Sequence, residues 1–141
     1  MVVVDANVLL HAVNADSAQH GTANPWLDDA LSATEPVGFA WAALLAFIRL
    51  ATRPGVFPAP LSPDQALETV EAWTGAAPAM VVQPTARHLA VLRGLLAGAG
   101  TAGNLTTDAH LATLAIEHGG RIASFDRDFA RFPGVRLELL G

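Results

Sequence analysis

Hydrophobic positions follow two different spacings along the chain, and the two spacings alternate. The β-branched run at residues 1–4 is typical of a strand buried on both faces of a sheet. Leu89, Leu92 and Leu96 recur at helical spacing. Over the whole chain, these patterns predict strands at residues 1–4, 36–40, 80–83, 121–125 and 135–139. They predict helices at residues 7–13, 23–33, 41–52, 63–73 and 85–97, and from Thr106 or Thr107 as the capping residue to 118.

Capping and turn residues support several of these boundaries. Ser62 and Gln65 have the spacing of a capping box, which predicts the start of the fourth helix. Pro25 falls in the first turn of the second predicted helix, where proline is tolerated. The prolines between residues 53 and 63 predict a loop there.

The alternation of strands and helices predicts an α/β fold with a mainly parallel sheet. A length of 141 residues suits one domain, so we predict a single domain over residues 1–141. The chain is 52% apolar and only 15% charged, which is too apolar for a disordered protein. No apolar run reaches the length of about 18 residues that a membrane span needs.

The absence of cysteine and of lysine excludes several classes of protein. The chain has no cysteine, which excludes disulfides, zinc–cysteine sites, iron–sulfur clusters and thiol nucleophiles. It has no lysine, which excludes P-loop NTPases, Schiff-base enzymes and protein kinases. The net charge of −5 argues against sequence-independent binding to nucleic acids. The first residues lack the pattern of a secretory signal, so we expect a cytoplasmic protein.

Acidic residues fall where a parallel α/β fold places its functional sites. Asp5 and Asp126 each follow a predicted strand, and Asp108 lies in the first turn of a predicted helix. Asp128 follows Asp126 by two residues and faces the same way if the chain is extended there. Each acid alone has an ordinary structural explanation. Together they are expected to converge on one edge of the sheet, where their repulsion favours a bound cation with all-oxygen ligands, Mg²⁺ or Mn²⁺.

Other acids and motifs give weaker indications. Glu117 is nine residues after Asp108 and points about 180° away around the helix, so we interpret it as a solvated acid. Residues 98–103 match G-x-G-x-x-G, but they follow a helix instead of a strand and therefore indicate a loop. The Asp5-Ala6-Asn7 segment resembles half of a phosphatase motif, but the second acid and the required lysine are missing.

At these residues the chain resembles the PIN-domain family, in particular the VapC toxins of bacterial toxin–antitoxin pairs. The matching segments stand in the expected order at residues 2–10, 41–49, 104–112 and 124–129. The resemblance implies a three-layer α/β/α sandwich around a mainly parallel sheet. It also implies an endoribonuclease that depends on Mg²⁺ or Mn²⁺ and cleaves structured RNA such as tRNA or rRNA. The implied partners are a VapB-type antitoxin and a second copy of the chain, with no membrane.

The resemblance also assigns roles to individual residues. Its metal-binding acids match Asp5, Asp108 and Asp126, and a less constant fourth acid matches Asp128. Polar positions that support the site and the substrate match Asn7, Asn104 and Thr107. In the implied reaction, a metal-activated water attacks phosphorus and leaves a 5′-phosphate and a 3′-hydroxyl, while Asp126 or Asp128 orients or deprotonates that water.

One position departs from the family pattern. Many members carry a glutamate in the helix at 41–49, where this chain has Ala46. An alanine side chain cannot bind a metal ion. Asp128, Asn104 or water then completes the ligand set, or the metal binds weakly, or the chain is an inactive relative that binds RNA or an antitoxin without turnover.

RNA binding by an acidic protein requires local positive charge. The candidates are arginines in segments expected near the site, Arg49, Arg53, Arg127 and Arg131. The early helices, including Trp26, are the expected dimer interface.

Overall fold

The computed structural model describes residues 1–141 and confirms the alternation of strands and helices. The five strands are β1 (Val2–Val4), β2 (Val37–Phe39), β3 (Ala79–Val81), β4 (Arg121–Ser124) and β5 (Leu137–Leu139). The six helices are α1 (Ala6–Val13), α2 (His20–Ser32), α3 (Trp41–Ala51), α4 (Pro63–Thr74), α5 (His88–Ala99) and α6 (Thr106–Glu117). Two 3₁₀ turns lie at Gly103–Leu105 and Arg127–Arg131.

The five strands form one parallel sheet in the order β3-β2-β1-β4-β5. The central strand β1 pairs with β2 on one side and β4 on the other, with Val2 opposite both Val37 and Arg121. Successive side chains of β1 point to opposite faces. Val2 and Val4 join one buried cluster and Val3 joins the other, which explains why this run is apolar at every position.

Helices cover both faces of the sheet, as the predicted three-layer sandwich requires. Buried residues of α1, α2, α3 and α4 pack with strand residues in a core of 18 residues on one face, which includes Phe39, Phe47 and Trp73. Buried residues of α5 and α6 contribute to a core of 13 residues on the other face. No helix of the structure is long and apolar enough to cross a membrane.

Two local predictions about helix starts are wrong. The second helix begins at His20, so Pro25 is its sixth residue and lies beyond the first turn. The first three residues of this helix, His20, Gly21 and Thr22, lie before the predicted start at residue 23. They carry no apolar repeat that could have indicated an earlier start. Helix α6 begins at Thr106 and is preceded by Leu105 without a side-chain cap, so neither threonine has the predicted capping role.

Other boundary signals are confirmed. Ser62 and Gln65 form the predicted capping box at the start of α4, with each side chain bound to the backbone N–H of the other. Helix α6 ends before Gly119, whose positive φ of 67° favours glycine. A Cβ on Gly120 would lie 2.6 Å from the carbonyl oxygen of Met1, so only glycine lets the chain enter β4 here.

Candidate active site

Four aspartates lie around the carboxyl ends of β1 and β4, which are neighbours in the sheet. Asp5 directly follows β1, and its backbone N–H donates to the carbonyl oxygen of Ala123 in β4. Asp126 follows β4 by two residues, and Asp108 lies in the first turn of α6. The set Asp5, Asp108, Asp126 and Asp128 is called the acid cluster below.

Asp5 is both the N-cap of α1 and a member of the acid cluster. Its Oδ1 accepts a 2.7 Å hydrogen bond from the N–H of Ala6, and its Oδ2 accepts one of 2.7 Å from the hydroxyl of Ser124. The residue is only 8% exposed. Burial raises the pKa of Asp5, the two hydrogen bonds oppose that rise, and the negative charge of Asp126 adds to it.

Asp108 shows how the four charges act on one another. Burial, and after it the charges of Asp5, Asp126 and Asp128, together raise the pKa of Asp108 to about 6. The ion pairs of the structure all lie elsewhere, so no arginine, histidine or amino group neutralises these carboxylates. The acid cluster is therefore a region of unbalanced negative charge.

Asp126 and Asp128 lie at the start of a turn, so the condition under which they would face the same way is not met. Residues Arg127–Arg131 form a 3₁₀ turn, so the chain does not stay extended between the two acids. Asp126 caps this turn, and its Oδ1 accepts a 2.8 Å hydrogen bond from the N–H of Asp128. Asp128 is exposed, and its charge still acts on Asp108.

The donor chemistry and the charge of the acid cluster fit a divalent cation. Carboxylate oxygens are the ligands that Mg²⁺ and Mn²⁺ prefer, and a dication offsets the repulsion that raises the pKa of Asp108. No three histidine, aspartate or glutamate side chains converge here as a preformed ligand set. The carboxylates are close enough to affect one another's pKa, but their oxygens do not form a preorganised coordination site.

Sequence reasoning missed Ser124, which lies at the centre of the polar contacts. Its side chain is fully buried, and its Oγ lies 2.7 Å from Asp5 Oδ2, 3.0 Å from Asn7 Nδ2 and 2.9 Å from the backbone nitrogen of Asp126. The sequence signals for it were its position at the end of a predicted strand and its place as the first residue of the matching segment 124–129.

The four predicted supporting residues lie at different distances from this centre. Asn7 donates to Ser124 and accepts from the N–H of Phe125, so it belongs to the site. Asn104 and Thr107 are exposed in the segment that leads into α6. Arg49 is exposed in α3, eight residues and about 12 Å along the helix from its first residue, Trp41.

Ala46 lies half-buried in the middle of α3 and offers no ligand atom. Arg127 and Arg131 belong to the turn that Asp126 caps, are exposed, and form no ion pair. Of the candidate arginines, these two stand nearest in sequence to the acid cluster.

The interpretation of Glu117 as a solvated acid is wrong. Its side chain is fully buried. It accepts hydrogen bonds from the backbone and hydroxyl of Thr85 and lies 2.6 Å from Nδ1 of His88. Nε2 of His88 in turn lies 2.9 Å from Nδ1 of His110. The group Glu117, Thr85, His88 and His110 is called the Glu117 cluster below, and it joins the start of α5 to α6.

A family model for the PIN domain matches residues 2–135. The chain therefore belongs to the PIN-domain family, as its sequence motifs predicted.

Within that family, its similarity is to VapC proteins. It is 53% identical over 138 residues to Ribonuclease VapC37 of Mycobacterium tuberculosis, covering 98% of this chain and 96% of the relative. Two solved structures share the fold over 100% of both chains. They are the sarcin-ricin loop cleaving toxin VapC20 of M. tuberculosis, with a TM-score of 0.70 and 18% identity, and VapBC2 of Rickettsia felis bound to a promoter DNA fragment, with 0.72 and 14%.

Proposed function

We propose that this chain is the endoribonuclease toxin of a VapBC-type toxin–antitoxin pair and acts in the cytoplasm. The observation that carries the proposal is the acid cluster, in which burial and three neighbouring carboxylates raise the pKa of Asp108 to about 6. Structural acids are normally paired, whereas unpaired acids at the carboxyl edge of a parallel sheet are typical of a metal-dependent site. The 53% identity to a protein named as a ribonuclease supports the choice of RNA.

Asp5, Asp108 and Asp126 are the residues that would hold Mg²⁺ or Mn²⁺. When bound, such an ion lowers the pKa of a water molecule and offsets the negative charge of a phosphodiester. Asp5 is fixed for this role by hydrogen bonds to both of its carboxylate oxygens. Asp126 is fixed through Oδ1 only, which leaves Oδ2 available.

The same residues provide for proton transfer during hydrolysis. As water attacks phosphorus, a new P–O bond forms, the bond to the 3′ oxygen breaks, and one proton of the water must be accepted. Oδ2 of Asp126 or the exposed carboxylate of Asp128 is the acceptor. The leaving 3′ oxygen takes up a proton from solvent water to become a hydroxyl, and the 5′ side keeps the phosphate.

The substrate we propose is a structured RNA with an exposed loop, such as tRNA or rRNA. Proteins that recognise RNA sequence usually contact unpaired bases in loops. The open edge of the sheet can bind such a loop. Arg127 and Arg131, exposed beside Asp126, are the proposed phosphate contacts in a chain whose net charge is −5. Asn104 and Thr107 are proposed to contact the RNA from the start of α6, and Arg49 from α3.

The proposed partners are a VapB-type antitoxin and a second copy of the chain.

The expected dimer surface on the early helices is less suitable than α5, because Trp26 donates to Glu138 and packs against the core. Helix α5 carries one charged residue, Arg93, and fully buries only Leu95. Leu89 is 67% exposed on it. Sedimentation at micromolar concentration tests the dimer, and Leu89→Glu should shift the protein to the monomer.

Ala46 supports a second candidate, an inactive PIN domain that binds RNA or an antitoxin without turnover. The same observation predicts that, if the protein is active, it needs a higher metal concentration for half-maximal activity than a relative with glutamate at this position.

The deciding experiment is cleavage of total bacterial RNA by the purified protein with Mg²⁺ or Mn²⁺, against EDTA and the Asp5→Asn variant. Asparagine keeps the N-cap of α1, so the variant should fold and fail to cut. Cleavage that persists in EDTA or in the variant contradicts the proposed site. A folded wild-type protein that cuts no RNA moves the assignment to the second candidate, and Ala46→Glu is then the variant that tests whether the missing acid is the cause.

A further inference from the structure

We propose that Trp41 binds an unpaired RNA base by stacking, at the carboxyl edge of the sheet beside the acid cluster. The inference rests on the proposed function, because the ligand it assigns is a base that flanks the phosphodiester to be cut. It adds an aromatic contact to an RNA site whose other proposed contacts are all charged or polar.

The three tryptophans of the chain have different surroundings. Trp73 is 9% exposed, and its ring centroid lies 4.7 Å from that of Phe47 in the core. Trp26 packs against the same core and donates its indole N–H to Glu138 at 2.9 Å. Trp41 is 50% exposed, belongs to neither buried cluster and pairs with no aromatic ring. The packing of the protein therefore explains two of the tryptophans and leaves the third without a structural role.

The position of Trp41 follows from the register of two neighbouring strands. Val3 in β1 pairs with Gly38 in β2, and two further residues in the same register bring Asp5 level with Ala40. Neighbouring strands are about 4.8 Å apart, so α3 begins beside the acid cluster. Side chains of an α-helix tilt toward its N-terminus, which for α3 is this edge of the sheet. The indole of Trp41, the first residue of α3, is therefore presented at the edge.

Three neighbouring strands give this edge an aromatic part, an acidic part and a basic part in succession. Trp41 follows β2, Asp5 follows the central strand β1, and Asp126 follows β4. Arg127 and Arg131 continue the edge beyond Asp126. An RNA strand whose cleaved phosphate lies at the acids then has the arginines on one side and the indole on the other. Unpaired bases stack on exposed aromatic rings in this way, whereas backbone phosphates bind arginine.

The surface around Trp41 suits RNA better than a protein partner. On the same face of α3, Leu45 and Arg49 follow at intervals of four residues, and Leu45 is 57% exposed. Two apolar side chains form a small patch, whereas a stable protein interface buries about 800 Å² on each partner. Arg49 forms no ion pair and can bind a phosphate. Helix α3 is held by four buried residues, so the indole loses little freedom when a base binds.

The first experiment measures cleavage of total bacterial RNA with Mn²⁺ by Trp41→Leu, Trp41→Phe and Leu45→Ala. Leucine keeps an apolar side chain without a ring, whereas phenylalanine keeps a ring that can stack. Trp41→Leu should raise KM about 5- to 150-fold, the usual range for losing one base–aromatic stack, and leave kcat within about 3-fold. Trp41→Phe should recover most of the affinity. Leu45→Ala is the matched control, similarly exposed one turn along α3, and should keep KM within about 2-fold.

A second experiment measures binding without cleavage, in the Asp5→Asn variant. A base that stacks on indole quenches its fluorescence, so total bacterial RNA should quench the emission of Asp5→Asn. Adding Trp41→Phe to Asp5→Asn should remove that quenching. Thermal unfolding provides the control for folding. The substitutions at Trp41 should leave Tm within about 2 °C of the parent protein, because the side chain is half-exposed and belongs to neither core.

Different results separate the inference from the proposed function. If the wild type cuts RNA and Trp41→Leu leaves KM unchanged, the inference alone is wrong. An equal rise of KM in Leu45→Ala also overturns it, because an aliphatic side chain has no face on which a base stacks. Should Trp41→Glu and Leu45→Glu lower the oligomeric state in sedimentation while Trp41→Leu keeps its KM, the face is a protein interface and not an RNA site. A wild type that cuts no RNA refutes the proposed function alone when RNA still quenches Trp41, and refutes both when it does not.

Discussion

The two ends of helix α6 each carry a buried or half-buried acid, and the two acids behave in opposite ways. Asp108, in the first turn, has three carboxylates as neighbours and no cation, and its pKa is raised to about 6. Glu117, the last residue, is surrounded by donors. Burial acts to raise its pKa, but hydrogen bonds from His88 and Thr85 outweigh it, and the pKa of Glu117 is lowered.

The helix itself favours the reverse result. Its dipole stabilises a negative charge at the first turn and destabilises one at the last. The partners of each side chain therefore decide the outcome, and they differ because of what surrounds each end. The Glu117 cluster satisfies its acid within the protein, whereas the acid cluster leaves its charge to be balanced by something that binds. Under the proposed function, this contrast separates a structural acid, Glu117, from a functional one, Asp108.

The largest effect that tests this contrast is on cleavage. Asp108→Asn should reduce the rate of RNA cleavage about 100-fold or more, because it removes a charge that holds the cation. Glu117→Gln should leave the rate within about 3-fold, because its partners are structural. Single-turnover rates at saturating Mn²⁺ measure both. A similar loss in the two variants would show that the two ends of α6 do not differ in function.

Next in size is the effect of metal on stability. Mn²⁺ at about 100 times its Kd should stabilise the wild type by about 2.7 kcal/mol, because the folded state alone has the site. Glu117→Gln should gain as much from Mn²⁺ as the wild type does, and Asp5→Asn should gain little. Thermal unfolding with Mn²⁺ and with EDTA gives the comparison. Stabilisation of Asp5→Asn as strong as that of the wild type would place the metal elsewhere.

A smaller effect concerns the Glu117 cluster without metal. Glu117→Gln should lower the free energy of unfolding by about 1–3 kcal/mol, the usual cost of losing hydrogen bonds to a buried charged group. Urea unfolding at pH 7 measures it, with Glu68→Gln on the exposed face of α4 as the control that should change little. An unchanged unfolding free energy in Glu117→Gln would mean that the pairing with His88 and Thr85 adds no stability.

The smallest effect has a defined pH dependence. Because the pKa of Asp108 is about 6 in the folded protein and 3.8 without perturbation, the folded state holds more protons in between, and stability falls as pH rises from about 4 to 6. The Asp108→Asn variant has no carboxyl group at this position, so its stability should not fall in this way between about pH 4 and 6. Without metal, its Tm should equal that of the wild type near pH 4 and exceed it by about 3 °C above pH 6. A Tm difference that does not vary with pH contradicts the raised pKa.

Sequence reasoning located the acid cluster because its signals are local. Asp5 and Asp126 follow apolar runs, and Asp108 follows the start of a helical repeat, so the edge of the sheet could be predicted from neighbours in sequence. The resemblance to the family added the metal and the substrate. The capping box at Ser62 was predictable for the same local reason.

The errors at Glu117 and Ser124 have a common physical cause, which is contact between distant parts of the chain. Glu117 was assigned to solvent from its angle around α6, but Thr85 and His88, about 30 residues earlier, occupy that side. Ser124 is defined by bonds to Asp5 and Asn7 at the other end of the chain.

The double role of Asp5, as the cap of α1 and as a member of the acid cluster, has a genetic consequence. Asparagine caps a helix as well as aspartate does, so Asp5→Asn removes a charge and keeps the start of α1. The codons of the two amino acids differ by a single G-to-A transition. Under the proposed function, one such base change disarms the toxin and still yields a folded protein able to occupy its antitoxin. Under the proposed function, escape from the toxin therefore requires neither loss of the gene nor loss of the fold.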